Sequence, residues 1–174
     1  MNYIGNMIRF LFLLIIQCFL ILPSFSAIKG GIDYKIPIDY SHYNKTELET
    51  KAEFYYEPAL NSKKFDENMT SALNLYTMLT NAFPENPNYA LRLGKLYDVL
   101  GKDRYAKGQY YHAMGLNKSN PEPYFYLGNF YYDREQYRKA LKFYKIASEK
   151  GYSNQTKEKI NSIYKKFGDK NHIE

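Results

Sequence analysis

The chain has 174 residues, about one domain's worth once its ends are set aside, and it carries 20 Tyr and 11 Phe but no Trp. Its single Cys allows no internal disulfide, and no Cys/His cluster has zinc spacing, so composition excludes a disulfide scaffold, a zinc module and a multi-pass membrane protein. Net charge is +6, with 19 Lys, 5 Arg and 15 Asn, a bias that an AT-rich genome also produces and that names no function.

Arg9 is the only charge before Lys29, and Phe10 to Leu22 is thirteen residues, apolar but for Gln17 and the weakly polar Cys18. A helix that crosses a bilayer needs roughly 20 apolar residues, so this run is short for a permanent anchor. Pro23 breaks it, and Ser24, Ser26 and Ala27 supply the small residues of a cleavage site. Residues 1–26 therefore have the form of a secretory signal peptide cut after Ser26, with an uncleaved N-terminal anchor as the alternative. The residues before Cys18 lack the small side chains that lipidation requires. Asn-x-Ser/Thr sequons stand at Asn44, Asn68, Asn117 and Asn154.

Residues 27–45, with Gly30-Gly31 and Pro37, are expected to be extended. Thr46-x-x-Glu49 is a capping-box signal for a helix to about Ser62, which Pro58 should bend or shorten. Asp66-Glu67 falls in an expected loop. Asn86-Pro87 and Asn120-Pro121 each place a capping side chain before a proline at the first helical position. The first of these helices should run from Pro87 to Leu100 and stop at Gly101, which tolerates left-handed backbone. Asp133, with Gln136 three residues on, should cap the helix that Gly151 ends. Gln155 to Phe167 presents Ile160, Ile163, Tyr164 and Phe167 at helical spacing, and the last few residues should fray.

A shift of 34 aligns Asn86-Pro87 with Asn120-Pro121, Leu93-Gly94 with Leu127-Gly128 and Tyr97 with Tyr131. It also aligns Ala72, Ala106 and Ala140, then Tyr76, Tyr110 and Tyr144, and Ala113 with Ala147. Small residues beside bulky ones at a fixed period describe paired helices stacked as a solenoid.

Tyr124-x2-Leu127-Gly128-x2-Tyr131, followed by Tyr137, Ala140 and Tyr144, resembles the tetratricopeptide repeat, a 34-residue helix-turn-helix unit. Tyr124 or Ala90 replaces the usual Trp, and Lys118 or Tyr152 the terminal proline. The earliest unit keeps its second helix, with Pro84 at the proline position, but its first helix lacks Leu-Gly. Residues 46–62 are therefore read as an irregular first helix followed by a longer connection. The resemblance implies an all-α solenoid of about three units, at 46–85, 86–120 and 121–152, then a capping helix in 153–168 and a tail at 169–174.

No motif for catalysis is present: G-x-S-x-G, H-E-x-x-H and P-loop patterns are absent, and His42, His112 and His172 have no metal partners at ligand spacing. The expectation is a non-enzymatic protein with no cofactor and no metal. The resemblance implies that first helices line a groove for a peptide or a partner helix. Its positions here are Asn88, Leu91, Lys95 and Asp98, then Glu122, Phe125, Asn129 and Tyr132. Phe125 and Tyr132 serve either the groove or the capping helix. Arg92, Lys95 and Asn129 are fragments of the carboxylate clamp that some family members carry, but Glu122 stands where Lys is expected, so chaperone-tail binding does not follow.

Charge is uneven. Residues 138–170 hold ten Lys/Arg against three acids, while 27–137 hold thirteen against fourteen. Lys142 and Lys145 alternate with apolar residues on a basic face, either simply solvated or suited to an acidic protein, anionic lipid or envelope polymer. Nucleic acid is not expected. The functional expectation is an exported adaptor or assembly factor, periplasmic or secreted, in a bacterial envelope. The alternatives are an anchored subunit of a secretion or pilus-type machine facing outward, and a small ligand-binding or enzymatic module.

Overall fold

The computed structural model describes residues 44–62 and 64–167. The chain divides into two units, Met1–Ile38 and Asp39–Glu174, and all that is described lies in the second. The signal segment 1–26, residues 27–43 and the tail 169–174 fall outside the described residues.

Among the described residues seven α-helices follow one another: α1 Lys45–Ser62, α2 Glu67–Ala82, α3 Pro87–Val99, α4 Asp103–Leu116, α5 Glu122–Asp133, α6 Tyr137–Ala147 and α7 Ser153–Phe167. A single π-helical turn, Ser148–Tyr152, joins α6 to α7. Among the described residues there is no strand, and no helix is long and apolar enough to cross a membrane. Helices pair as α1 with α2, α3 with α4 and α5 with α6. Successive pairs meet through α2–α3 and α4–α5, and α7 closes on α6. The first helices also touch in succession, α1 with α3 and α3 with α5.

The starts of these helices follow from short polar side chains. Asn86 Oδ1 accepts from the Asn88 N–H at 3.0 Å, and Asn120 Oδ1 from the Glu122 N–H at 3.0 Å, so both Asn-Pro signals act as caps. Asp66 Oδ1 accepts from the Met69 N–H at 2.9 Å. Asp66-Glu67 is therefore the start of α2, and not the loop expected for it. The capping box at Thr46 does not form either. Asn44 Oδ1 takes the Thr46 N–H at 3.0 Å, and the Glu49 carboxylate instead accepts from the Tyr89 hydroxyl on α3.

Three further expectations are corrected. The α1 helix continues past Pro58 to Ser62, so the proline does not shorten it; Pro58 lies on its exposed side. The extra length of the first unit lies in this 18-residue helix, and the link to α2 is short. Asp133 is the last residue of α5 and does not cap α6; at the cap position the Gln136 side chain caps no backbone N–H, and its Oε1 accepts from Lys139 Nζ at 2.9 Å instead. The α5–α6 turn is instead held by two backbone bonds, Glu135 N–H to Tyr132 O and Gln136 N–H to Tyr131 O, both 2.9 Å. The α3–α4 turn has the same pair one period earlier, Gly101 N–H to Asp98 O at 2.9 Å and Lys102 N–H to Tyr97 O at 2.8 Å.

The interior follows the repeat. Ala72, Ala106, Ala113, Ala140 and Ala147 are all fully buried, and Tyr76, Tyr110 and Tyr144 fill the space beside them. One apolar cluster spans α1 to α3 and a second spans α3 to α7. Ile163 and Thr156 of α7 are fully buried, Ile160 and Tyr164 half-buried, and Phe167 exposed.

Candidate functional site

A cavity of about 480 Å³ opens where the first helices converge. The α1 helix supplies Glu49 and Glu53, α2 supplies Tyr76 and Leu79, and α3 with its cap supplies Asn86, Asn88, Tyr89, Leu91, Arg92 and Lys95. Glu122, at the start of α5, completes the lining. These residues face one space because positions three and four apart on a helix share a face. Glu49 and Glu53, like Asn88, Arg92 and Lys95, follow that spacing.

The wall is a polar network. The Tyr76 hydroxyl donates to Glu53 Oε1 at 2.7 Å, and Arg92 Nη2 lies 3.1 Å from the same oxygen. Arg92 stands 4.3 Å over the ring of Tyr56, which is wholly buried behind it. Lys95 Nζ donates to the Tyr126 hydroxyl at 3.0 Å and lies 4.3 Å over that ring. Burial, then the bond to the Glu49 carboxylate, pushes the Tyr89 phenol up to about 12, so it stays a donor at neutral pH. Three carboxylates, two cations and several phenols can offer both donors and acceptors to an extended main chain. Among the described residues no three His, Cys, Asp or Glu side chains gather as metal ligands.

Of the eight groove residues read from the sequence, Asn88, Leu91, Lys95 and Glu122 meet in this cavity. Leu91 is only 4% exposed, so it forms the floor more than the rim. The other four are engaged elsewhere. Asp98 pairs with Arg134 Nη2 at 3.0 Å and accepts from the Tyr110 hydroxyl at 3.3 Å. Asn129 Oδ1 accepts from the Tyr144 hydroxyl at 2.8 Å. Phe125 packs edge-on against Tyr152 of the π turn with ring centroids 5.6 Å apart. The Tyr132 hydroxyl lies 3.3 Å from Ser162 Oγ of α7, with Lys159 over its ring at 4.8 Å. Phe125 and Tyr132 thus pack on the closing turn and helix. Lys142 and Lys145 are exposed on α6.

Sequence reasoning missed Glu49, Glu53, Tyr76 and Tyr89. The available signal was Ala52, Tyr56 and Ala59, whose spacing gives α1 a buried face and leaves Glu49 and Glu53 on the adjoining one.

No protein-family model matches the sequence, and no curated protein is significantly similar to it. Solved structures do match. The tetratricopeptide-repeat domain of Sgt2 from Aspergillus fumigatus is 20% identical, with a TM-score of 0.55 over 70% of this chain and 82% of that one. The first tetratricopeptide-repeat domain of Spaghetti (RPAP3), solved with an HSP90 peptide SRMEEVD, is 22% identical, with a TM-score of 0.55 over 69% of this chain and 95% of that one. The fold is therefore an all-α solenoid of the tetratricopeptide-repeat type.

Proposed function

We propose that this chain is a non-enzymatic protein-interaction module that holds a peptide or partner helix in the groove of α1, α3 and α5. The observation that carries this reading is the polar cavity of about 480 Å³ shared by those helices. The Spaghetti (RPAP3) domain of the same fold was solved with a bound peptide, which supports a peptide ligand here. The sequence of residues 1–26 supports export, so the module is an adaptor or assembly factor outside the cytoplasm, in a bacterial envelope. The apolar run Phe10–Leu22 keeps a second reading open, an anchored subunit of an envelope machine. N-terminal sequencing separates the two, since a chain beginning at Ala27 excludes the anchor.

A photo-crosslinking side chain at exposed Asn88, and the same side chain at Lys142, tests the groove. The expected outcome is a discrete partner band from native envelope at position 88, lost on adding Lys95→Glu and absent at position 142. Equal crosslinking at both positions, or none at 88, removes the groove as the binding site.

A further inference from the structure

Nine cations lie between Arg138 and Lys166, against Glu149 and Glu158 alone. On α6, Arg138, Lys142 and Lys145 recur at spacings of four and three and are exposed, opposite the side that buries Ala140, Leu141, Phe143 and Tyr144. Lys157 and Lys165 are exposed on α7, and Lys166 reaches back to donate to the Tyr137 hydroxyl of α6 at 2.5 Å. The C-terminal end of α7, with Lys165 and Lys166, therefore meets the start of α6, next to Arg138 in sequence. Partly exposed aromatics stand among them. Phe167, 41% exposed, packs on Tyr137 at 4.8 Å. Tyr111, 47% exposed, meets Phe143 edge-on at 6.4 Å, and Phe143 stacks on Tyr131 beneath Lys139.

We propose that the α6–α7 surface docks on an anionic phospholipid bilayer. Nine cations against two acids within Arg138 to Lys166 concentrate positive charge where an anionic headgroup layer would attract it. Tyrosine beside lysine is also the composition of surfaces that sit at headgroup depth. The cations spread along two helices and the turn between them instead of converging on one pocket, which fits a planar anionic surface. The groove takes no part in this contact, so the two surfaces act independently.

Flotation of the full chain with vesicles of phosphatidylglycerol and phosphatidylcholine in equal parts, and of phosphatidylcholine alone, tests the proposal. Insertion of the apolar run Phe10–Leu22 would be common to both vesicle types, so the readout is the excess on the anionic ones. That excess is expected to vanish at high salt. It should fall about thirty-fold in the Lys142→Ala, Lys145→Ala double variant. Lys51→Ala with Lys64→Ala, which removes the same charge from α1 and the α1–α2 link, should leave the excess unchanged. Unchanged melting by circular dichroism shows that each variant is folded. No anionic excess, or an equal fall in both double variants, overturns the proposal. Tighter retention on immobilised polyglutamate than on anionic vesicles reassigns the surface to an acidic protein and overturns it as well.

Discussion

A β-carbon on Gly128 would lie 2.5 Å from the ring of Tyr144, and one on Gly94 would lie 2.9 Å from the ring of Tyr110. Neither ring is free to step aside. Tyr144 is fully buried, with its hydroxyl on Asn129 and its ring against Phe125; Tyr110 is 1% exposed, with its hydroxyl on Asp98. Alanine gains about 1 kcal/mol over glycine inside a helix, whereas overpacking a tight contact costs ~1–3 kcal/mol. At Gly128 the clash is the closer one and the overpacking should win. Gly128→Ala is expected to lose about 1–2 kcal/mol and Gly128→Leu roughly 2–4 kcal/mol, with Gly94→Ala the mildest of the three. Urea unfolding monitored by circular dichroism measures this order. A Gly128→Ala variant as stable as the parent would mean that α5 and α6 are not in this register.

Between elements, the repeat shows in the turns as clearly as in the helices. Gly101 has φ +67° and Glu135, exactly one period on, has φ +57°, and both close the same pair of backbone bonds. Glycine holds this conformation without cost, whereas a residue with a β-carbon is disfavoured by about 1–2 kcal/mol. Glycine also loses more freedom on folding, by ~0.5–1 kcal/mol. Glu135→Gly is therefore expected to stabilise the fold by about 0.5–1 kcal/mol, raising the urea midpoint. A lower midpoint would show that the Glu135 side chain supports the turn. The case also explains one misreading. Asp133-x-x-Gln136 has the residues of a capping box, but the chain position that matched Gly101 was Glu135, and carrying the period through the loop would have placed the turn correctly. The period made α3 to α6 legible, including the Asn caps and the small residues that let tyrosines in. It did not reach α1, where Ala59-Leu60 stands in place of Leu-Gly, and so the groove's carboxylates Glu49 and Glu53 were not found. Asp98 and Asn129 were legible as facing residues, yet their bonds to framework tyrosines 12 and 15 residues away depend on packing that local spacing does not contain.

Across the whole molecule the tyrosines bind its stability to pH. Tyr76, Tyr89, Tyr110, Tyr131 and Tyr144 lie one on each of α2 to α6, no more than 7% exposed. Burial is the first cause that raises each phenol above its ordinary value, and the carboxylates of Glu53, Glu49 and Asp98 raise Tyr76, Tyr89 and Tyr110 further. Tyr89 and Tyr131 are pushed up to about 12, and Tyr76, Tyr110 and Tyr144 are raised as well. The unfolded chain releases these protons near about pH 10. Above that pH the folded state binds more protons than the unfolded one, so stability is fully present below about pH 10 and falls as pH rises toward the folded values. Counting only Tyr76, Tyr110 and Tyr144, the slope is ~4 kcal/mol per pH unit, against a total stability of about 5–15 kcal/mol for an ordinary domain. The fold is therefore expected to be lost within roughly one to four pH units above 10, with tyrosinate absorbance rising in the same transition as helix is lost. Tyr144→Phe lowers stability at neutral pH by leaving Asn129 without its donor, yet it should flatten the alkaline slope by about 1.4 kcal/mol per pH unit. The slope, and not the absolute stability, carries the test. Urea midpoints that stay level above pH 10, or a slope that Tyr144→Phe leaves unchanged, would show that these phenols ionise in place and that the interior is wetter than its packing indicates.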